Sequence, residues 1–228
     1  MDHSPSDAQI VERLLHARFS ARKFEARAVP RSTLERLLSM AQRTPSWCNI
    51  QPWQVALVSG EALKALRERM WQQANSGARP NPDFPFPPTY EGTHRERRKV
   101  CGVHLYESLG IGKDDRAAAT QQSLQNFRMF EAPHLALITV DDYLGFYGAF
   151  DCGLYVMSFM LAAQSLGIDT VAQASLASYP DLVRAQFALP ATRKLICGIA
   201  FGYAEREHPV NGYRTERAAI GAAVQFFD

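Results

Sequence analysis

The sequence predicts an α+β fold, on three observations. β-rich runs and longer amphipathic runs are interspersed without the strict strand-helix-strand alternation that a doubly wound sheet requires. One long run, 148–166, is apolar on nearly every helical face and so must be surrounded by protein. Finally, 228 residues with 46% hydrophobic content bury enough surface for one large domain, spanning 1–228.

The elements follow in order. Ile10, Val11, Leu14 and Leu15 recur at helical spacing, and Ser32 ahead of Leu34, Leu37, Leu38 and Ala41 is the expected N-cap of a second helix. Residues 53–59 (WQVALVS) read as a strand that stops at Gly60, after which Leu63, Leu66 and Met70 resume a helical period. Residues 77–93 shift to Pro, Asn, Gly and Phe, and each proline biases its predecessor away from helix. This is a long loop, either a lid or binding loop or a disordered surface excursion, with Phe84, Phe86 and Tyr90 favouring the lid. Helices are predicted over 95–109 and 114–130, then a strand over 134–140, the apolar helix 148–166, and strands over 170–174 and 194–203 separated by a short helix from Pro180. Gly153, Ser158, Ala162 and Ala163 permit close approach to the apolar helix, which is therefore expected at a subunit interface.

Composition removes several function classes. With 25 basic and 23 acidic residues, the net charge of +2 does not provide the one-sided basic surface of a nucleic-acid binder. Cys48, Cys101, Cys152 and Cys197 form no CxxC pair, so neither a zinc site nor a disulfide framework is expected, and a reducing cytoplasm fits. The start, with Asp2, Asp7 and Glu12, has no secretory pattern, and no apolar stretch reaches the ~20 residues of a membrane span. GxSxG and HExxH are missing, no metal site is expected among the six histidines, and His134, flanking a strand, reads as structural. Gly110-Ile-Gly112-Lys113 lacks dinucleotide and P-loop spacing and reads as a turn.

Two segments carry chemistry. In Arg18-Phe-Ser-Ala-Arg22-Lys-Phe24, two guanidiniums and a hydroxyl come from one short connection, a set that suits a phosphate because Arg presents forked donors. A solvated basic turn is the other reading of that segment alone. In Pro45-Ser-Trp-Cys-Asn49-Ile-Gln51-Pro52-Trp53, Ser46, Asn49 and Gln51 sit between prolines before a strand, where amides can match the edge of a flavin or pyrimidine ring.

The pairing RxSxR with PSxxNxQPW resembles the FMN-dependent nitroreductase family, in its nitrobenzoate-reductase-like branch. Stretches at 96–98, 105–111, 126–133, 151–153, 173–181, 197–203 and 209–217 extend the resemblance along nearly the whole chain. It implies a nitroreductase-like fold, a central mixed sheet flanked by helices, paired as an intertwined homodimer. It also implies an FMN-dependent NAD(P)H oxidoreductase that reduces a small aromatic acceptor, a nitroaromatic or quinone, by ping-pong two-electron transfer. Chemistry would occur at flavin N5, with no obligatory side-chain acid or base and NAD(P)H as a transient donor.

Residue by residue, the resemblance assigns Arg18 and Ser20 to the FMN phosphate end and Arg22 to the pyrimidine edge, as an electrostatic tuner of the reduced flavin. Arg214 and Arg217 would complete the clamp, the direct contact lying with either. Asn126 would meet the pyrimidine edge, with Gln125 and Arg128 as alternatives, and Gln173, Ala174 and Ser175 would lie beside N5. Pro45, Ser46 and Asn49 would reach the flavin held by the other protomer. Trp47, Phe84, Phe86 and Tyr90 are candidate substrate-pocket walls, and the tail at 224–227 is an interface candidate. Reductive dehalogenation, enone reduction and dehydrogenation on the same scaffold, or a non-catalytic flavin-binding protein, are the alternatives.

Overall fold

The computed structural model describes residues 4–227. Four strands, β1 (Gln54–Ser59), β2 (His134–Asp141), β3 (Asp169–Gln173) and β4 (Arg193–Gly202), form a sheet in the order β1-β2-β4-β3. Every pairing is antiparallel. The expected mixed sheet is thus corrected: the parallel element among the described residues is one bridge, Ser20 to Thr170. The reason is in the connections, since β2 and β3 both run against their shared neighbour β4.

The sheet is buried on both faces, which explains the unbroken apolar run of β2. Leu135 and Leu137 point to one side and pack with Leu63, Leu66 and Met70 of α3 (Gly60–Asn75) and Val183 of α7 (Pro180–Phe187). Ala136, Ile138 and Val140 point to the other and meet Leu34, Leu37 and Ala41 of α2 (Arg31–Ala41) and Cys152, Tyr155 and Phe159 of α6 (Gly145–Ser165). This alternation follows from the two-residue period of a strand.

Several boundaries differ from expectation, among them the start of α6 at Gly145. Helix α2 starts at Arg31 after Pro30 with no side-chain cap, so Ser32 is inside it. Helices α4 (Gly92–Ser108) and α5 (Arg116–Leu124) replace the runs 95–109 and 114–130. The second ends early because Met129 and Phe130, both buried, enter the core through left-handed backbone shared with Glu131. At the other end of the chain, α1 (Asp7–Ala17) opens on a Ser6–Gln9 capping box.

The long loop is only partly free. Asn81 N donates to Ser178 O at 2.9 Å, Tyr179 Oη to Ala78 O at 2.9 Å, and Leu195 N to Asp83 Oδ2 at 2.8 Å. Phe84 packs on the α2/α6 core, whereas Phe86 and Tyr90 are exposed. With its preceding turn, α6 is long and apolar enough by composition to cross a bilayer, yet its inner face is built into the sheet core. Its outer face leaves Phe146, Tyr147, Phe150 and Leu154 exposed in the single chain, so it is not surrounded by this chain alone.

Candidate functional site

The segment after α1 is laid against the sheet edge. Ala21 N donates to Thr170 O at 3.1 Å, Ser20 bridges Thr170, and Phe24 bridges Ala204. Phe19 and Ala21 point inward and are buried, which turns Arg18, Ser20 and Arg22 outward on alternate positions, before the buried Phe24 ends the alternation. They line a cavity of about 690 Å³ with His16, Tyr213, Arg214 and Arg217. Residues nearly 200 positions apart in sequence are thereby brought together.

Side chains outside the predicted set hold this arrangement. Asn211, buried, accepts from Arg22 N at 2.8 Å and donates to Lys23 O at 2.8 Å and Glu205 O at 2.9 Å, stitching the two ends of the chain. Arg22 Nη1 donates to Tyr213 Oη at 2.7 Å and to Ser20 O at 3.2 Å. The Arg214 guanidinium lies 4.0 Å from the Phe19 ring centroid and donates to the carbonyls of Asn211 and Tyr213. Asn211 and Tyr213 fall in the stretch 209–217, but nothing in local polarity separates them from an ordinary turn.

The electrostatics are those of an anion site. Four guanidiniums line the cavity, and among the described residues none of them ion-pairs with a carboxylate. Burial, then the nearby Arg217 charge, lowers the Arg18 pKa. Burial raises the Tyr213 phenol, against the opposing pull of Arg22, so it stays protonated at neutral pH. A phosphate would relieve this cation-cation repulsion.

A second group lies at the end of β3. Gln173 Nε2 donates to Asn126 O at 2.9 Å and to Asn126 Oδ1 at 3.2 Å. Gln173 Oε1 and Ser175 Oγ are buried without a partner, an unusual state for polar atoms. The turn Ala174–Ser178 sits so close to β4 that a Cβ on Gly198 would come 2.5 Å from Leu176 Cδ1.

The third group is apart. Pro45, Ser46 and Trp47 line a pocket of about 360 Å³ with Tyr147, Phe150, Asp151 and Leu154, and this pocket shares no residue with the arginine cavity. Trp47 stands edge-on to Tyr147 with centroids 4.7 Å apart, and Asn49 is exposed. Phe84, Phe86 and Tyr90 line neither pocket, so the single chain does not gather the aromatic walls expected of it. His134 is structural: Nε2 accepts from Val29 N at 2.9 Å, and the ring stacks on Phe201. Among the described residues, no group of three or more His, Cys, Asp or Glu could hold a metal ion.

An antiparallel sheet under helices, carrying an arginine-lined cavity, defines an α+β protein with a positively charged pocket. The model of the nitroreductase family matches residues 15–203, and the chain belongs to that family. It is 36% identical to the nitroreductase NfnB of Mycolicibacterium smegmatis, over 96% of this chain and 93% of that protein. A 4-nitrobenzoate reductase of Nocardioides sp. is 31% identical over 93% of this chain and 88% of its own length. Among solved structures, the FMN-dependent NfnB from Mycobacterium smegmatis in complex with NADPH superposes with a TM-score of 0.93 at 35% identity, covering 98% of this chain and all of that one.

Proposed function

We propose that the chain is an FMN-dependent NAD(P)H oxidoreductase that reduces nitroaromatic or quinone-type acceptors in a ping-pong cycle. The observation that carries this reading is the cavity lined by four guanidiniums that, among the described residues, pair with no carboxylate. The relatives support it, being nitroreductases dependent on FMN and NADPH.

Arg18, Ser20, Arg214 and Arg217 hold the phosphate, and Arg22, fixed by Tyr213 and Asn211, presents positive charge to the ring system. Asn126 and Gln173 offer amides to the pyrimidine edge, while Ala174 and Ser175 lie at the reactive edge. When bound, FMN relays two electrons between NAD(P)H and the acceptor; the protein supplies position and electrostatics. No side chain is assigned as acid or base.

The working unit is a homodimer of single-domain chains. Pro45, Ser46 and Asn49, none of which lines the arginine cavity of its own chain, complete the partner's site. The exposed face of α6, together with Val11 and Leu15 of α1 and the tail residues Val224, Phe226 and Phe227, gives the apolar surface a partner would cover. Trp47, with Phe86 and Tyr90 on the free half of the 77–93 loop acting as a lid, walls the acceptor pocket. Free thiols at all four cysteines accord with the cytoplasm.

The test is the visible spectrum of the purified protein under anaerobic NADPH or NADH. Flavin absorbance that bleaches on addition and returns with a nitroaromatic is expected. A colourless protein that also fails to take up FMN overturns the assignment.

A further inference from the structure

We infer that Asp151 is the positioning residue of the Ser46–Gln51 loop: its buried carboxylate caps the short turn Trp47–Asn49 from a distant helix, holding that loop in the shape that presents Ser46 and Asn49. The inference rests on the reading of this loop as part of the flavin site.

The loop cannot hold itself. Cys48, Asn49 and Gln51 have φ of 50°, 55° and 47°, a left-handed conformation that side-chain-bearing residues adopt at a cost. Its 3-10 turn opens at Ser46, whose hydroxyl leaves the usual capping position vacant. Ser46 Oγ instead accepts from Gln51 N at 2.9 Å and closes the far end of the turn. The near end, Trp47 N, donates to Asp151 Oδ2 at 3.1 Å, across 104 positions of sequence.

Asp151 has no other role in view. It is 2% exposed, and among the described residues it ion-pairs with no cation. A carboxylate so buried is expensive unless a donor answers it, and Trp47 N–H is that donor. Trp47 also packs edge-on against Tyr147 of α6, and the other side-chain hydrogen bonds of the loop run between amides at its surface. Gln51 Nε2 reaches Asn49 O and Oδ1, both at 3.2 Å, and Gln42 Nε2 reaches Gln51 Oε1 at 3.1 Å. These bonds tie the turn to itself and to α2, whereas Asp151 ties it to α6. Asp151 also lines the pocket with Trp47 and Tyr147, so losing the tether moves a pocket wall as well as the loop.

The experiment compares wild type, D151A and D151N for FMN affinity of the apoprotein, acceptor KM and kcat with a nitroaromatic, and Tm. D151N keeps a carbonyl that accepts from Trp47 N, while D151A removes the acceptor; D151S, too short to reach, replaces D151A if that variant does not fold. Loss of one buried charge-assisted bond predicts FMN affinity weakened about tenfold in D151A. Acceptor KM should rise with it, and D151N should return both close to wild type. A lower Tm with unchanged FMN affinity and KM makes Asp151 merely structural and overturns the inference. Failure of the wild-type protein itself to bind FMN would instead overturn the functional reading.

Discussion

Asp83→Ala should be among the most damaging single changes outside the flavin site. The Asp83 side chain is 6% exposed, and Arg184 Nη1 donates to both its oxygens, at 3.0 and 2.8 Å. It also accepts from Leu195 N at 2.8 Å, so one carboxylate joins the long loop to α7 and β4. Truncation leaves the partly buried Arg184 with only the exposed Asp181 as an acidic partner, takes one of two carboxylates from Lys194, and leaves the Leu195 amide unanswered. Breaking a buried pair from one side costs about 3–5 kcal/mol, and the retained Asp181 bond sets this case at about 3 kcal/mol. In a chain of this size each kcal/mol moves Tm by about 2–4 °C, giving a fall of about 6–12 °C. Thermal and urea melts at fixed protein and FMN concentration measure it, because bound ligand shifts the apparent stability. A loss under about 1 kcal/mol would mean that the loop is not anchored here and that the whole of 77–93 moves as a lid.

Three further outcomes are expected. Tyr213→Phe removes the 2.7 Å partner of Arg22 and should weaken FMN binding about fivefold by fluorescence titration, an unchanged affinity counting against Arg22 being held in place by this phenol. His134 has its pKa lowered by burial, so the unfolded chain takes up the proton first on acidification. Stability from this group is complete above about pH 6.5 and is lost as pH falls from there through the folded-state value, with a slope of at most about 1.4 kcal/mol per unit. His134→Gln, which can still accept from Val29 N, should flatten that part of the pH-stability curve measured by urea melts. Finally, burial holds the Cys152 and Cys197 thiols up at about 12, so a thiol reagent at neutral pH should label neither until denaturant is added.

Much of the fold was legible because periodicity reports burial. The run at 134–140 became β2, and Leu63, Leu66 and Met70 became the buried stripe of α3. Arg18, Ser20 and Arg22 stand on one face because alternation with the buried Phe19 and Ala21 is a local property of extended chain. The early end of α5 and the left-handed backbone at Cys48, Asn49 and Gln51 and at 129–131 were not readable, since no glycine marks them and tertiary contacts impose them. The same holds for the anchored half of the long loop, whose proline-rich composition says nothing of the Asp83–Arg184 pair.

By itself, the sequence determined the α+β class and the family, and singled out the arginines that come to line one cavity, because these depend on spacing along the chain. Only the tertiary structure decided that Tyr213 and Asn211 fix Arg22, that Asp151 holds Trp47, and that the serine-asparagine loop does not line the arginine cavity of its own chain. Such contacts join positions more than a hundred residues apart, and a hydrogen bond's partner is chosen by proximity in space, which local pattern does not encode.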